Sequence, residues 1–284
     1  MFVTPHQMLE KARAARSAVG SFNVVNLETA QAVATAAERT NTPVMIQVYH
    51  EDLKHMPAAQ TGALVRAIAS NSSVDIALHL DHGHSLEQVR ECIECGFTSV
   101  MIDASDLEFE RNVEITRQVV ELAASHGVFV EAALGHILDG TATLAERKLC
   151  FTIPGEVEEF VTRTQVNALA VAVGTAHGDL ASGPTIDFDL LNDISSRSTA
   201  FLVMHGGSGI ADADMTRLIA HGITKANIGT SLMNAHVAGM RRMLDDSESC
   251  SLKAALTSAR QSAVGLVTSK IGLFQCDGAA SEVV

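Results

Sequence analysis

Short runs rich in β-branched residues alternate with longer amphipathic segments along nearly the whole chain. This alternation predicts parallel strands that are connected and covered by helices. The predicted strands are residues 20–24, 44–48, 76–80, 99–102, 128–131, 168–173, 201–204 and 225–228. Apolar spacing of about 3.6 residues predicts helices at residues 27–39, 58–70, 86–95, 109–125, 155–164, 211–220 and 231–244.

Eight strand–helix units predict a (β/α)8 TIM barrel, and residues 251–271 add an extra C-terminal helix. An open, doubly wound sheet has the same alternation and stays the second candidate. Two longer loops, at residues 135–150 and 179–187, follow the fifth and sixth strands, where substrate contacts and lids usually lie. No linker is visible, so we expect residues 1–284 to form a single domain.

The charge balance argues against two classes of partner. Lys and Arg number 20 against 33 Asp and Glu, so the formal net charge is -13. Nucleic acids and anionic membranes both attract clustered positive charge, so we expect neither as a partner. The apolar runs are far shorter than the roughly 20 residues of a membrane span, and residues 1–10 lack a secretory pattern. We therefore expect a cytoplasmic protein.

Polar residues follow most of the predicted strands at their carboxyl ends. In a barrel these ends share one mouth, whichever strands they come from. The residues at these positions are Asn23, Asp81, His82, Asp103, Glu131, His177, His205, Asn227 and Thr230. A barrel with a purely structural role does not need such a set, so we expect chemistry at this mouth.

Three histidines of this set, His82, His177 and His205, come from three different strands. Three converging imidazoles commonly bind Zn²⁺ and leave one coordination position open. We therefore predict a metal site there. His79 and His84 fit either a structural role or a place beside the ligands. Six further histidines are assigned no role: His6, His50, His55, His126, His221 and His236.

Glycine-rich turns follow the last two strands, at residues 205–209 and 227–230. Glycines let backbone N–H groups approach an anion, and the helices that follow direct their positive ends toward it. The loops after strands seven and eight are the usual phosphate site of this barrel. A metal beside a phosphate pocket suits a phosphorylated hydroxyketone, because the metal stabilises charge on its oxygens. Asp81, next to His82, can move a proton to the aldehyde half, so the predicted chemistry is aldol cleavage.

At these residues the chain resembles the class II, zinc-dependent ketose-bisphosphate aldolases, especially the tagatose-bisphosphate branch and its fructose-bisphosphate relatives. The matching segments keep the family's order along the chain. They are Ser-Phe-Asn at 21–23, Leu-His-Leu-Asp-His at 78–82, Ser-Val-Met-Ile-Asp at 99–103, Val-Glu-Ala at 130–132, Ala-Val-Ala-Val-Gly-Thr-Ala-His-Gly at 170–178, His-Gly-Gly-Ser-Gly at 205–209 and Lys-Ala-Asn-Ile-Gly-Thr at 225–230.

The resemblance implies an assignment for each matching residue. Zinc is held by His82, His177 and His205, and Asp81 passes a proton to the oxygen of the aldehyde half. Asp103 belongs to the surroundings of the metal, and we place Glu131, at the fifth strand's end, there too. Dihydroxyacetone phosphate is expected to be held by Gly178, Gly206, Ser208, Asn227 and Thr230, and Asn23 is expected to touch the substrate.

The resemblance also implies cofactors and partners. A monovalent cation, Na⁺ or K⁺, is expected near the phosphate, and the chain is expected to form a homodimer or homotetramer. Some tagatose-bisphosphate members have a separate non-catalytic partner subunit. The first expected substrate is tagatose or fructose 1,6-bisphosphate, which yields dihydroxyacetone phosphate and glyceraldehyde 3-phosphate.

Three departures from the family pattern surround the variable half of the substrate. Ala133 stands where the family has a second carboxylate, and Tyr49 stands where a small hydroxyl residue or glycine is usual. The loop at residues 137–143 reads Ile-Leu-Asp-Gly-Thr-Ala-Thr and departs from the family's pattern of Gly-Gly and acidic residues, so Asp139 or Glu146 is left to act as the base. Another ketose 1-phosphate, derived from an acid or deoxy sugar, is therefore the alternative substrate.

Three other classes remain as alternatives. A Schiff-base aldolase would use Lys225 on the eighth strand and would resist chelators. A zinc hydrolase would use the metal to make hydroxide and would release no triose phosphate. A weakly active or non-catalytic partner of another aldolase would account for Ala133 and the altered loop.

Overall fold

The computed structural model describes residues 1–139, 141–178, 185–245 and 250–275 of the chain. Eight parallel strands follow one another around a closed barrel, and the last pairs with the first. This closure confirms the (β/α)8 prediction and excludes the open, doubly wound sheet. The strands are β1 (Val19–Asn23), β2 (Val44–Tyr49), β3 (Ile76–Gly83), β4 (Ser99–Ile102), β5 (Phe129–Leu134), β6 (Ala168–Val171), β7 (Phe201–Met204) and β8 (Ile223–Ile228).

Helices surround the barrel, and each of the seven predicted ones begins and ends within one residue of the predicted bounds. The predicted C-terminal helix is also present and ends four residues later than expected, at Gln275. The helices are α1 (His6–Ala14), α2 (Leu27–Thr40), α3 (Ala58–Ser70), α4 (Leu86–Glu94), α5 (Phe109–Ala124), α6 (Leu144–Leu149), α7 (Pro154–Thr164), α8 (Phe188–Arg197), α9 (Asp212–Ala220), α10 (Thr230–Asp245) and α11 (Leu252–Gln275).

Three of these helices are absent from the sequence prediction: α1, α6 and α8. Helix α6 has only six residues and lies inside the segment predicted as a loop. Helix α8 buries only Leu191 and Ile194, so its apolar pattern is too sparse to be recognised. Residues 179–184, most of the second predicted loop, lie outside the described residues.

The interior of the barrel is apolar at the amino ends of the strands and polar at the carboxyl ends. Helix α1 closes the amino end by inserting Met8, Leu9 and Ala12 among the first residues of the strands, including Phe129 and Phe201. The second, larger core lies between the outside of the strands and the helices. Because apolar packing fills one end, the functional side chains are confined to the other.

Helix α11 packs against α2 and α10 on the outside of the barrel. Its last turn is tied to the start of β1, since the Ala18 N–H donates to the Phe274 carbonyl at 3.0 Å. The helix thus secures the strand that closes the barrel. None of the helices in the described part of the chain has the length and apolar character needed to cross a membrane.

Candidate active site

A cavity of about 830 Å³ opens at the carboxyl ends of the strands. Eleven of the twelve residues proposed from the sequence line it, and the twelfth, Glu131, is buried beneath it. The eleven are Asn23, Asp81, His82, Asp103, His177, Gly178, His205, Gly206, Ser208, Asn227 and Thr230. The closed barrel therefore brings together residues that are more than 200 positions apart in the chain.

The end of β3 explains how two successive residues reach the same cavity. Side chains alternate across a regular strand, so Asp81 and His82 would point to opposite faces. His82, however, has the left-handed backbone conformation, with φ of 52°, and the register of the ladder shifts between Leu80 and Gly83. The irregularity breaks the alternation, and both side chains line the cavity.

The imidazoles of His82, His177 and His205 converge, with one nitrogen of each ring within 4.8 Å of the others. His82 Nδ1 donates to Asp103 at 2.6 Å, and His205 Nε2 donates to Glu131 at 2.9 Å. In the neutral rings the opposite nitrogens then carry lone pairs. These two atoms, His82 Nε2 and His205 Nδ1, face each other at 2.8 Å. Two lone pairs at this distance repel unless a cation or a proton lies between them.

The third ring supplies an unpartnered nitrogen. His177 Nε2 is buried and has no hydrogen-bond partner among the described residues. Burial, followed by the positive charge of His82, lowers the pKa of His177 and lowers that of His205 well below its ordinary value. Both rings are therefore neutral, which is the form that binds a metal ion. The three residues fit a zinc site with an open fourth position.

His82 differs from its two neighbours in the direction of its pKa shift. Burial alone would lower the pKa of His82, but the charge of Asp81 and the hydrogen bond to Asp103 raise it above the ordinary value. Without a metal, a proton on His82 therefore relieves the repulsion between the facing nitrogens. A metal ion that binds there replaces this proton.

Asp81 is held by three amides. Asn23 Nδ2 donates to it at 2.8 Å, Gln47 Nε2 at 3.2 Å and Asn227 Nδ2 at 3.1 Å. Burial would raise the pKa of Asp81, but the positive charges of His82 and Lys225 and the hydrogen bond from Asn23 outweigh it and lower the pKa. The side chain is thus an oriented carboxylate that can accept a proton.

Gln47 is a residue that the sequence interpretation missed. Its amide joins Asp81 to Asn23, whose Oδ1 accepts from Gln47 Nε2 at 2.7 Å, and it also contacts Ser21. The available signal was a single polar residue inside the otherwise apolar run 44–48. A polar residue in a buried strand needs partners, and these partners lie at the site.

Beneath the histidines lies an ion pair between Glu131 and Lys225, whose side chains are fully buried. Lys225 Nζ lies 2.9 Å from Glu131 Oε2 and donates to Asn227 Oδ1 at 2.7 Å. His79, also buried, binds Ser99 at 2.7 Å and places Nε2 3.7 Å from Glu131. Lys225 is thus engaged below the cavity rather than exposed in it, which does not suit a Schiff base.

The glycine-rich turns after β6 and β7 pack against each other. Gly206 has φ of 74°, and a Cβ there would lie 2.2 Å from the Ala176 carbonyl. Gly178 has φ of 80°, but a Cβ there would meet no described atom within 4 Å. Thr230 begins α10, and the next N–H group, of Ser231, donates to Ser208 Oγ at 3.1 Å. The positive end of this helix, beside the glycine turns, fits an anion such as phosphate.

The opposite side of the cavity has an aromatic wall. The ring centroid of Tyr49 lies 4.5 Å from that of His50, and His50 lies 5.0 Å from His84. Burial, followed by the charges of Glu51 and Asp81, raises the pKa of Tyr49, so its hydroxyl stays protonated. The prediction that assigned His50 no role missed its place on this wall, because the turn after β2 was not predicted in detail.

Comparison with known proteins identifies the family. The family model "Fructose-bisphosphate aldolase class-II" matches residues 3–279. The chain belongs to this family. This class II aldolase is 38% identical over 245 residues to fructose-bisphosphate aldolase of Geobacillus stearothermophilus, with 85% of each chain covered. It is 34% identical over 282 residues to sulfofructosephosphate aldolase of Alkalicoccus urumqiensis, with 98% of each covered.

A solved structure agrees with this aldolase over almost its whole length. The YdjI aldolase from Escherichia coli K12 superposes with a TM-score of 0.88 at 30% identity, covering 98% of this chain and 99% of that one. The family resemblance predicted from the motifs is thereby confirmed, and the protein is a class II aldolase, an aldehyde-lyase. The names of its relatives include more than one sugar phosphate.

Proposed function

We propose that this aldolase reversibly cleaves a ketose 1-phosphate into dihydroxyacetone phosphate and an aldehyde, with Zn²⁺ bound by His82, His177 and His205. The facing nitrogens of His82 and His205, 2.8 Å apart, support this proposal most directly, because a metal ion can replace the proton that this arrangement otherwise needs. The buried, unpartnered Nε2 of His177 provides the third ligand. Asp103 and Glu131 orient the rings by accepting from their second nitrogens.

The phosphate and keto end of the substrate is proposed to lie over β6, β7 and β8. Gly178, Gly206, Ser208 and Thr230 line this side, and the start of α10 contributes its positive end. A monovalent cation, Na⁺ or K⁺, is part of the proposal, because no Lys or Arg within the described part of the chain lines the cavity. Asn23 and Asn227 are proposed to contact the hydroxyl groups of the sugar.

The bond that breaks joins C3 and C4 of the ketose. Bound zinc would polarise the keto oxygen and stabilise the charge that develops there. Asp81, as a carboxylate, takes the proton of the C4 hydroxyl as this carbon becomes the aldehyde, and returns it in the condensation direction. The amides of Asn23, Gln47 and Asn227 hold the carboxylate in position for this transfer.

A second proton must reach C3 of the triose phosphate, and Asp139 is the proposed donor. Asp139 lines the cavity and pairs with His177 through the backbone. Glu146, the other candidate, accepts from the Thr143 hydroxyl at 2.7 Å and its N–H at 2.8 Å, so it caps helix α6. The geometry therefore favours Asp139.

Matched amide variants test this choice. We expect Asp139→Asn to slow exchange of the C3 proton of dihydroxyacetone phosphate with deuterium by about 10²–10⁴-fold, as for loss of a general acid–base group. Glu146→Gln keeps exchange near the wild-type rate and lowers stability slightly. NMR in D₂O measures the exchange. Equal effects of the two variants contradict the assignment.

The substrates to test first follow from the family. Tagatose and fructose 1,6-bisphosphate are the first candidates, and ketose 1-phosphates with other aldehyde halves are the second. A homodimer or homotetramer is the proposed assembly, with a non-catalytic partner subunit as a further possibility. Sedimentation of the purified chain measures the assembly.

The decisive experiment is a coupled assay for release of dihydroxyacetone phosphate from these substrates, with and without EDTA and with zinc restored. We expect release that EDTA abolishes and zinc restores, and a loss of zinc content in His177→Ala. Release that persists in EDTA and is trapped by borohydride would favour a Schiff base at Lys225. No release by the zinc-loaded protein would favour a hydrolase or a non-catalytic partner.

A further inference from the structure

His136 lines the cavity but takes no part in the proton transfers proposed for Asp81 and Asp139. It is the second residue after β5, at the start of the loop that carries Asp139. Its side chain reaches the loop after β4, where His136 Nδ1 lies 2.9 Å from Ser105 Oγ. The loop that carries the proposed proton donor is thus attached to the neighbouring loop.

Asp103 connects this contact with the metal site. Ser105 donates to Asp103 Oδ1 twice, from its hydroxyl at 2.7 Å and from its N–H at 3.1 Å. The other oxygen, Oδ2, accepts from His82 Nδ1 at 2.6 Å. Burial would raise the pKa of Asp103, but the hydrogen bonds from His82 and Ser105 lower it, so the side chain is a carboxylate that only accepts. One carboxylate therefore holds both Ser105 and a proposed zinc ligand.

The direction of each hydrogen bond follows from this charge. Because Asp103 uses the single hydroxyl proton of Ser105, the Ser105 oxygen must accept from His136. His136 Nδ1 therefore carries a proton. The donors run from His136 to Ser105 to Asp103, and each group in this network has one consistent role.

The same loop is attached to the metal site on its other side through the backbone. The Leu138 carbonyl accepts from the His177 N–H at 3.1 Å, and Asp139 forms a β-bridge with His177. The segment 136–139 thus runs from the loop after β4 to the backbone of a second proposed zinc ligand. Asp139 lies at the end of this segment and lines the cavity.

The two attachments differ in what they depend on. The backbone bond of Leu138, and that of the His136 N–H to the Cys150 carbonyl at 2.9 Å, need no particular side chain. Among the described residues, His136 makes the only side-chain hydrogen bond from residues 135–139 to another loop. A misplacement of about 1 Å can cost a catalytic group about 10²-fold in rate. A side-chain anchor three residues before Asp139 is therefore able to control its placement.

We infer that His136 is a positioning residue for the proton transfer at C3. Its hydrogen bond to Ser105 fixes the loop after β5 to the surroundings of the metal and thereby places Asp139. The inference rests on the proposed function, in which Asp139 is the proton donor. His136 acts through its Nδ1–H group and does not itself carry the transferred proton.

Two variants remove the hydrogen bond from its two ends. His136→Leu removes the donor, and Ser105→Ala removes the acceptor. For each zinc-saturated variant we expect exchange of the C3 proton of dihydroxyacetone phosphate with deuterium to slow by about 10–100-fold, with zinc content unchanged. The double variant should lose no more than Ser105→Ala, because both changes break the same link. Losses that multiply would mean two independent effects and would overturn the inference.

A conservative variant separates positioning from proton transfer by His136 itself. His136→Asn keeps an N–H donor close to the place of Nδ1 but cannot carry a proton at pH 7. We expect it to exchange at close to the wild-type rate. Exchange as slow as in His136→Leu would show that the ring is needed for another reason and would overturn the inference. The matched control is His126→Leu, which removes an exposed histidine–serine contact of the same 2.9 Å length and leaves exchange unchanged.

A second double variant tests whether the effect passes through Asp139. In Asp139→Asn the group to be positioned is already lost, so adding His136→Leu should slow the residual exchange little further. A further loss of full size overturns the inference, as does a loss of zinc from His136→Leu in proportion to its exchange rate.

Failure of the inference and failure of the proposed function give different results. A wild type that exchanges this proton beside an equally fast His136→Leu refutes the inference alone. If the zinc-loaded wild type neither exchanges the proton nor releases dihydroxyacetone phosphate from any substrate, the proposed function fails, and the inference fails with it.

Discussion

Glu131 and Lys225 are charged, paired and shielded from water at the centre of the barrel. A buried pair gains little over apolar residues, but removing one partner leaves an uncompensated charge. Here the pair also performs a task, since Glu131 accepts from His205 Nε2 and thereby presents Nδ1 to the cavity. The pair therefore connects stability with the orientation of a proposed ligand.

Replacing Lys225 separates these effects. Lys225→Met leaves Glu131 without its partner, and we expect the free energy of unfolding to fall by about 3–5 kcal/mol. Adding Glu131→Gln should recover most of the loss, because a neutral amide still accepts from His205. Urea unfolding measures both. The matched control is Lys270→Met, whose partner Asp212 is exposed, with a loss below about 1 kcal/mol. If Lys225→Met is as stable as the wild type, the loss of Lys225 does not leave a destabilising charge on Glu131.

At the residue scale, the sequence predicted the polar groups at strand ends, including the buried Glu131, but not the roles of the other groups beneath them. Asp81, His82 and His205 were recognisable because the end of a barrel strand has a known place in the fold. The roles of Gln47 and Lys225 depend on which residues face each other across β1, β2, β5 and β8. That pairing follows from the register of the closed barrel, which no local pattern contains.

At the scale of elements, helix α1 closes the amino end of the barrel, a role that its sequence pattern does not indicate. It precedes the first strand, contains two lysine or arginine residues in nine, and has only three buried positions. Those positions, Met8, Leu9 and Ala12, nevertheless fill the amino end of the barrel. The ring of His6 adds an edge contact to Phe201 at 5.7 Å. The role of α1 is therefore recognised from the barrel end that it covers, and not from the periodicity of its own sequence.

A truncation in α1 tests this role. Leu9 is fully buried, so Leu9→Ala should lower the free energy of unfolding by about 2–5 kcal/mol through lost contacts and a cavity. Leu149→Ala is the matched control, because Leu149 is 89% exposed and should lose less than about 0.5 kcal/mol. Thermal or urea unfolding measures the difference. Similar losses at the two positions would show that α1 does not close the barrel.

At the scale of the whole molecule, the site is a product of barrel closure. His82, His177 and His205 lie on the third, sixth and seventh strand–loop units, so their nitrogens meet only when the barrel is complete. The repeating strand–helix pattern predicted this closure, since eight units are the number that a TIM barrel needs. The loops around the mouth were not predictable in the same way, since helix α6 lies in a segment that the strand–helix pattern marks only as a loop.

Metal removal should therefore destabilise the entire fold. A ligand that binds only the folded state stabilises it by about 2.7 kcal/mol at 100 times its Kd, and each kcal/mol is worth roughly 2–4 °C in a chain of this size. We expect EDTA to lower the Tm by several degrees and zinc to restore it. In His177→Ala the response to EDTA should largely disappear. His126, an exposed histidine just after the end of α5, provides the control, since His126→Ala should respond like the wild type. The His177→Ala variant keeps the other buried contacts of the barrel. If EDTA lowers its Tm as much as that of the wild type, the stabilising metal is bound elsewhere.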